Sequence, residues 1–179
     1  MFGTLMLVVG PWLGFRLLGV LGVGRFTTWR AGAAHGLAVM LAFTGAAHFA
    51  PASVTVMPSH ADLVAMVPPL LPFPDLLVYA TGVLELLGAL GLVVASTRSA
   101  AGICLAALFV LMFPANVYAA VENVPFNGDP ATPLWFRIPE QILFIGIALW
   151  GAEAADNPLV RRMLSALRSS AGDPTATRR

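Results

Sequence analysis

The chain predicts an all-α membrane protein: a four-helix transmembrane bundle plus an additional N-terminal transmembrane helix. Three observations carry that expectation. The 179 residues are 58% hydrophobic and only 11% charged, at a mean hydropathy of +0.83, whereas a soluble domain carries about 25% charged residues. So small a charged fraction cannot coat an aqueous surface, and most of the exterior must face lipid. Five apolar runs are each long enough, at about 1.5 Å per residue, to cross a bilayer core. The charged residues between those runs segregate by sign, with arginines at one end and acids at the other.

The first run, residues 1–23, is apolar apart from Arg16 and is punctuated by Pro11. It lacks a basic leading segment, so it reads as a transmembrane helix, bent or broken at Pro11, rather than a cleaved leader. Arg16 is expected to snorkel to the nearer surface; the alternative is a pairing with Glu85. A short turn with Arg25 and Arg30 follows. The second run, residues 31–49, has no formal charge but carries His35 and His48, and Pro51 ends it. Residues 50–74 form a connection with six prolines. Within it Ser59 and Asp62 match a capping box and predict a short helix. That helix should lay Leu63, Val64, Met66 and Val67 on the interface, and Pro68-Pro69 should stop it.

The third run, residues 76–95, contains one charge, Glu85. Its helical neighbours Thr81, Gly82, Gly88 and Ala89 are all small, which leaves room beside the acid for another backbone or a ligand. After a tight turn with Arg98, residues 100–121 make an uncharged fourth run. Pro114 should kink it beside Asn116. Asn127-Gly128-Asp129-Pro130 marks a polar turn. Residues 134–151 are the fifth run, with Pro139 in its first turns, where a missing N–H is tolerated. Asn157-Pro158 opens a tail helix with Leu159, Val160, Met163, Leu164 and Leu167 on one face and Arg161, Arg162 and Arg168 around it, a pattern suited to an anionic inner leaflet. Residues 169–179 are expected to be disordered. The domains are therefore an N-terminal helix over 1–23, a membrane core over 31–152 and a cytoplasmic tail over 153–179.

With five spans, Arg25, Arg30, Arg98 and the tail arginines share one side, and Asp62, Asp75, Glu122 and Asp129 the other. The positive-inside rule then gives a multi-pass inner (plasma) membrane protein with its N-terminus outside and its C-terminus cytoplasmic. A first segment that does not cross would move only the N-terminus. Arg137, at the outer mouth of the fifth span, is the exception, and Glu140 is its expected partner.

On that topology each core helix supplies a polar residue to a stripe running inward from the outer surface. His48 and Thr44 come from the second run, Glu85 and Thr81 from the third, Asn116 from the fourth, and Gln141 with Arg137 from the fifth. Helical rise puts Glu85 about 15 Å deep and about two turns below His48. An acid at that depth faces a partner, a cavity or water, and marks a functional site by default. The purely structural alternative is interhelical hydrogen bonding, worth about 0.6 kcal/mol per pair.

Other chemistries drop out. The single cysteine, Cys104, rules out an internal disulfide and a thiol relay. The two transmembrane histidines share one helix, so bis-histidine haem ligation has no partner. No zinc or copper ligand spacing, phosphate loop or nucleophile elbow is present, so no metal is expected and no catalytic residue is assigned. A net charge of +1 gives no nucleic-acid footprint.

The stretches GLAVMLAFTGAAHF at 36–49, MVPPLLPFP at 66–74, TGVLELLGALGL at 81–92, MFPANVYAA at 112–120 and LWFRIPEQ at 134–141 resemble, in order and spacing, the DoxX family of small membrane proteins. The resemblance covers about residues 31–150 and implies a four-helix core, with the first span an extension. The family's HF, GxxE and FPAN-type positions fall on His48, Glu85 and Asn116. It implies a link to thiosulfate:quinone oxidoreductase or quinol oxidase assemblies, or to a membrane complex with superoxide dismutase and a sulfurtransferase. The expected function is the membrane subunit of a redox-associated system, with a quinone- or lipid-like ligand site open to the outer leaflet. There Glu85 and His48 would hydrogen-bond or handle protons, and Asn116 and Gln141 would orient the ligand. Quinone is the candidate cofactor; the partners are the bilayer and membrane or soluble redox proteins. The alternative is a non-enzymatic scaffold that recruits soluble partners through its tail.

Overall fold

The computed structural model describes residues 3–152, and these are helical and turn, with one isolated bridge between Phe126 and Asp129. The order is α1 (Gly3–Val20), a 3-10 turn (Gly24–Phe26), α2 (Trp29–Ala47), α3 (His60–Ala65), α4 (Pro74–Val93), α5 (Arg98–Val121) and α6 (Leu134–Gly151). Three of these, α1, α4 and α5, are long and apolar enough to cross a membrane. The protein is thus an all-helical membrane protein among its described residues. Helices α2 and α6 also reach 19 and 18 residues; the polar groups they carry inside their length lower their apolarity. The basic amphipathic helix expected after Asn157, and the tail domain with it, lie outside the described residues.

Local sequence explains the helix ends. Thr28 caps α2 by accepting the Ala31 amide. Ser59 and Asp62 form both halves of the expected capping box at α3. The Asn127-Gly128 pair takes positive φ at both residues, the turn that this dipeptide favours. Helix α1 runs unbroken through Pro11, and α5 through Pro114.

Helix α2 packs against α1, α4 and α6, and α5 packs against α4 and α6. The registers are antiparallel: Gly45 of α2 faces Leu86 of α4 while Gly82 faces His48, and Gly88 of α4 faces Leu105 while Gly91 faces Ala101. Helix α1 lies close on α2, where a Cβ at Gly36 would stand 2.8 Å from the Val8 carbonyl oxygen. Leu37, Leu41, Leu92, Leu105, Phe144 and Ile147 form the shared apolar core. By contrast, Leu76, Leu87, Leu90, Leu111 and Ile142 point outward and stay exposed, as a lipid-facing exterior requires.

Arg16 does not pair with Glu85; its side chain runs to the turn at the end of α1. Its Nη1 donates to the carbonyls of Phe26 (2.9 Å) and Thr27 (2.7 Å), and its guanidinium lies 4.9 Å from the Trp29 ring centroid. It therefore ties the end of α1 to the turn that follows.

Candidate functional site

Two buried ionisable groups meet between α2 and α4. His48, just past the end of α2, and Glu85, in the middle of α4, are each 4% exposed. His48 Nε2 stands 3.6 Å from Glu85 Oε1, an ion-pair distance beyond hydrogen-bond range. Thr44, one turn before His48, donates to Glu85 Oε2 at 2.5 Å. Thr81, one turn before Glu85, lies 3.2 Å from His48 Nδ1.

The hydrogen bonds fix the imidazole tautomer. His48 Nδ1 lies 2.7 Å from the Val78 carbonyl, which can only accept. Nδ1 therefore carries a hydrogen. The Thr81 hydroxyl donates to the Leu77 and Val78 carbonyls at 2.9 and 3.0 Å, so its oxygen is free to accept from the same Nδ1–H. Only Nε2 then faces Glu85. A bare Nε2 lone pair against a bare carboxylate would be repulsive. A hydrogen on either facing atom would relieve that repulsion.

This contact is closer than helical rise alone predicts. In an α-helix every Cα–Cβ bond tilts toward the N-terminus. Because α2 and α4 are antiparallel, His48 leans toward the start of α2 and Glu85 toward the start of α4, so the two side chains close the gap between their backbones. Gly82 provides the space: a Cβ there would strike His48 Cβ and Cγ. The small neighbours of Glu85 thus serve as predicted, with Gly82 admitting His48 and Gly88 admitting Leu105.

The remaining expected site residues lie elsewhere. Gln141 is buried, and its Nε2 is committed to the Phe109 carbonyl at 2.5 Å. That carbonyl is one residue before the one that Pro114 deprives of its amide partner. Asn116 donates within its own helix, to Met112 O at 3.3 Å. Asn116 and Arg137 both line a small cavity of about 10 Å³ beneath Met66. Arg137 pairs with Glu140 at 2.8 Å, as expected, and Glu140 also accepts from Thr4 of α1. The seven expected residues thus divide into a quartet, Thr44–His48–Thr81–Glu85, and three that join no part of it. Among the described residues no cluster of three or more metal-ligating side chains occurs.

Sequence reasoning missed a second histidine–carboxylate contact that covers the first. His60, the first residue of α3, places Nδ1 2.7 Å from the His48 carbonyl and Nε2 3.2 Å from Asp75 Oδ1. Its ring stacks on Tyr79 at 4.1 Å. It pins the connection before α4 to the end of α2 beside the quartet. No periodicity or spacing announces this contact, because His60 reaches it through a loop.

Comparison with known proteins adds one family. Residues 37–152 match the family described as Domain of unknown function (DUF8561), and the chain belongs to that family. Among curated proteins nothing matches the chain, and no solved structure matches it either.

Proposed function

We propose that this DUF8561 member is a multi-pass inner-membrane protein in which the His48–Glu85 pair is the polar end of a site for a quinone- or lipid-like ligand. Helices α2, α4, α5 and α6 form a four-helix transmembrane bundle, α1 is an additional span, and the N-terminus lies outside. The placement of Arg25 and Arg98 at the opposite end from Asp62, Asp75 and Glu122 supports that orientation.

The observation that carries the proposal is the 3.6 Å contact between two ionisable groups that are each 4% exposed. A pair used only as interhelical glue needs neither an ionisable acid nor an imidazole, since amides would serve at lower desolvation cost. An acid beside an imidazole can donate to a ligand carbonyl when protonated and accept a proton from a ligand hydroxyl when not, which are the two states of a quinone head group. Thr44 and Thr81 are half-buried at its edge and orient the carboxyl and the imidazole. The ligand's apolar body would enter from the outer leaflet, the side on which α3 lies. The DoxX resemblance supports a place in a redox system with membrane or soluble redox partners.

The test is mass spectrometry of quinones and lipids that co-purify from native membranes with wild type and with Glu85→Gln. The expected result is a quinone or lipid-like molecule enriched on wild type and lost from the variant. If neither protein carries anything above bulk lipid while both fold equally well, the proposal fails.

A further inference from the structure

Past the end of α3 the chain runs Pro68-Pro69-Leu70-Leu71-Pro72-Phe73 into Pro74, the first residue of α4. The interface contacts expected of α3 do not fall on that helix. Met66 is buried, and Leu63, Val64 and Val67 are half-buried. The apolar side chains on display come after it: Leu70 is 92% exposed, Phe73 73% and Leu71 45%. Between Asp62 and Asp75 the sequence holds no charged residue, hydroxyl or side-chain amide.

The backbone of this segment suits a place out of bulk water. A backbone N–H without a partner is costly in lipid. Four of the seven residues from Pro68 to Pro74 are prolines and have no N–H. Of the other three, Leu71 donates to the Pro68 carbonyl at 2.9 Å. Carbonyl groups remain, and an irregular segment does not enter the hydrocarbon core, so the level that fits is the headgroup boundary. Asp75 agrees with that level, because its side chain is 71% exposed two residues after Phe73 and a carboxylate keeps to water.

Phe73 is a separate sign. Its φ of 56° and ψ of 56° are left-handed, a region costly for a residue with a Cβ, and the residue before a proline favours an extended backbone. The ring is nonetheless exposed, so packing on the described residues offsets little of that cost. Lipid around the ring would offset it.

The exposed surface continues onto α4. Leu76, Ala80, Val83, Leu87 and Leu90 follow one another at steps of four and three residues, so they share one helix face, and all are exposed. That face belongs to the lipid-facing exterior. Phe73 and Leu70 prolong it past the start of the helix.

We infer that Leu70, Leu71 and Phe73 form an anchor that inserts into the headgroup–acyl boundary of the leaflet at which α4 begins. The partner is the phospholipid surface, met through apolar contact. With His60 clamped to the end of α2, the connection between α2 and α4 is held at two points, one on protein and one on lipid. The inference rests on the lipid-facing side of α4 and needs neither the quartet nor its ligand.

The single cysteine, Cys104, makes the test direct. In a Cys104→Ser background, Leu70→Cys and Phe73→Cys would be compared with Glu122→Cys, an exposed position at the end of α5. Wild-type Cys104, exposed on α5, is the lipid-facing reference. Each full-length protein would be placed one copy per phosphatidylcholine nanodisc and treated with a sulfonated maleimide. The thiolate is the reacting form and is disfavoured out of water, so positions 70 and 73 should react at least about 10-fold more slowly than position 122 and resemble Cys104. In parallel, a bimane on each cysteine would be quenched by phosphatidylcholine brominated on its acyl chains, with strong quenching expected at 70 and 73 and little at 122. Reaction at 70 as fast as at 122 would overturn the inference. Slow reaction without quenching would also overturn it, by showing that protein and not lipid covers the segment. If Phe73→Cys disturbs the turn, Leu70→Cys, at the more exposed position, decides alone.

Discussion

The contact between His48 and Glu85 predicts a coupling energy that a double-mutant cycle measures directly. At 3.6 Å two unit charges in an effective dielectric of about 20 attract by about 4–5 kcal/mol. Burying them opposes that attraction by several kcal/mol per ion. Interhelical polar contacts in bilayers set the scale of the balance, averaging about 0.6 and reaching about 1.7 kcal/mol. A buried acid–imidazole pair with no hydrogen bond to either facing atom belongs at the upper end. The expected coupling between Glu85→Ala and His48→Ala is therefore about 1–2 kcal/mol. It would be read from reversible unfolding of the purified protein in mixed micelles, with each single variant and the double variant measured together. Glu85→Gln is the control. Its amide can donate to His48 Nε2 and its oxygen can accept from Thr44, so it should retain most of the stability that Glu85→Ala loses. Additivity of the two alanine substitutions within about 0.5 kcal/mol would refute the contact.

Two further substitutions separate the quartet from its surroundings. Gly82→Val places a Cβ against His48 Cβ and Cγ and 3.0 Å from the Phe49 ring, and these atoms are too near the backbone to swing away. It should cost about 1–3 kcal/mol and release any ligand held by Glu85, measured by the same unfolding and co-purification assays; a neutral effect would place His48 elsewhere. Gln141→Leu removes the buried bond to Phe109 O and should cost about 1–2 kcal/mol, whereas Asn116→Ala removes only a bond within its own half-buried helix turn and should stay within about 0.5 kcal/mol. The reverse order of the two would show that Asn116, not Gln141, holds α5 in place.

The helices were legible because each rests on a local signal: an apolar run between turn residues, the Ser59–Asp62 capping box, the Asn127-Gly128 turn. The fifth run coincides with α6, and the others differ by a few residues at their ends, where tertiary context moves the cap. Of the two outcomes expected at Pro11, a bend or a break, the break does not occur. The residue four before it, Leu7, loses one intrahelical bond, and the packing of α1 on Gly32 and Gly36 of α2 holds the helix continuous. The quartet was legible residue by residue but not as a cluster. His48, Thr44, Glu85 and Thr81 stand out as polar groups in apolar helices, yet their proximity depends on the antiparallel register of α2 and α4. Gly82 and Gly45 encode that register only as absences of a side chain.

The same dependence on register explains why the stripe broke in two. A stripe that crosses four helices requires each polar side chain to face the common axis at one height, and helical rise fixes height without fixing direction. Gln141 is turned onto the α5 backbone, and Asn116 onto its own preceding turn. Both therefore spend an amide N–H on a backbone carbonyl. Glu85 and His48 are instead set against each other across α2 and α4, with Thr44 and Thr81 beside them. Of the expected residues, these two alone bring an acid and an imidazole together. Under the proposed ligand site, Glu85→Gln, which removes the ionisable carboxyl without emptying its volume, is therefore more informative than any truncation.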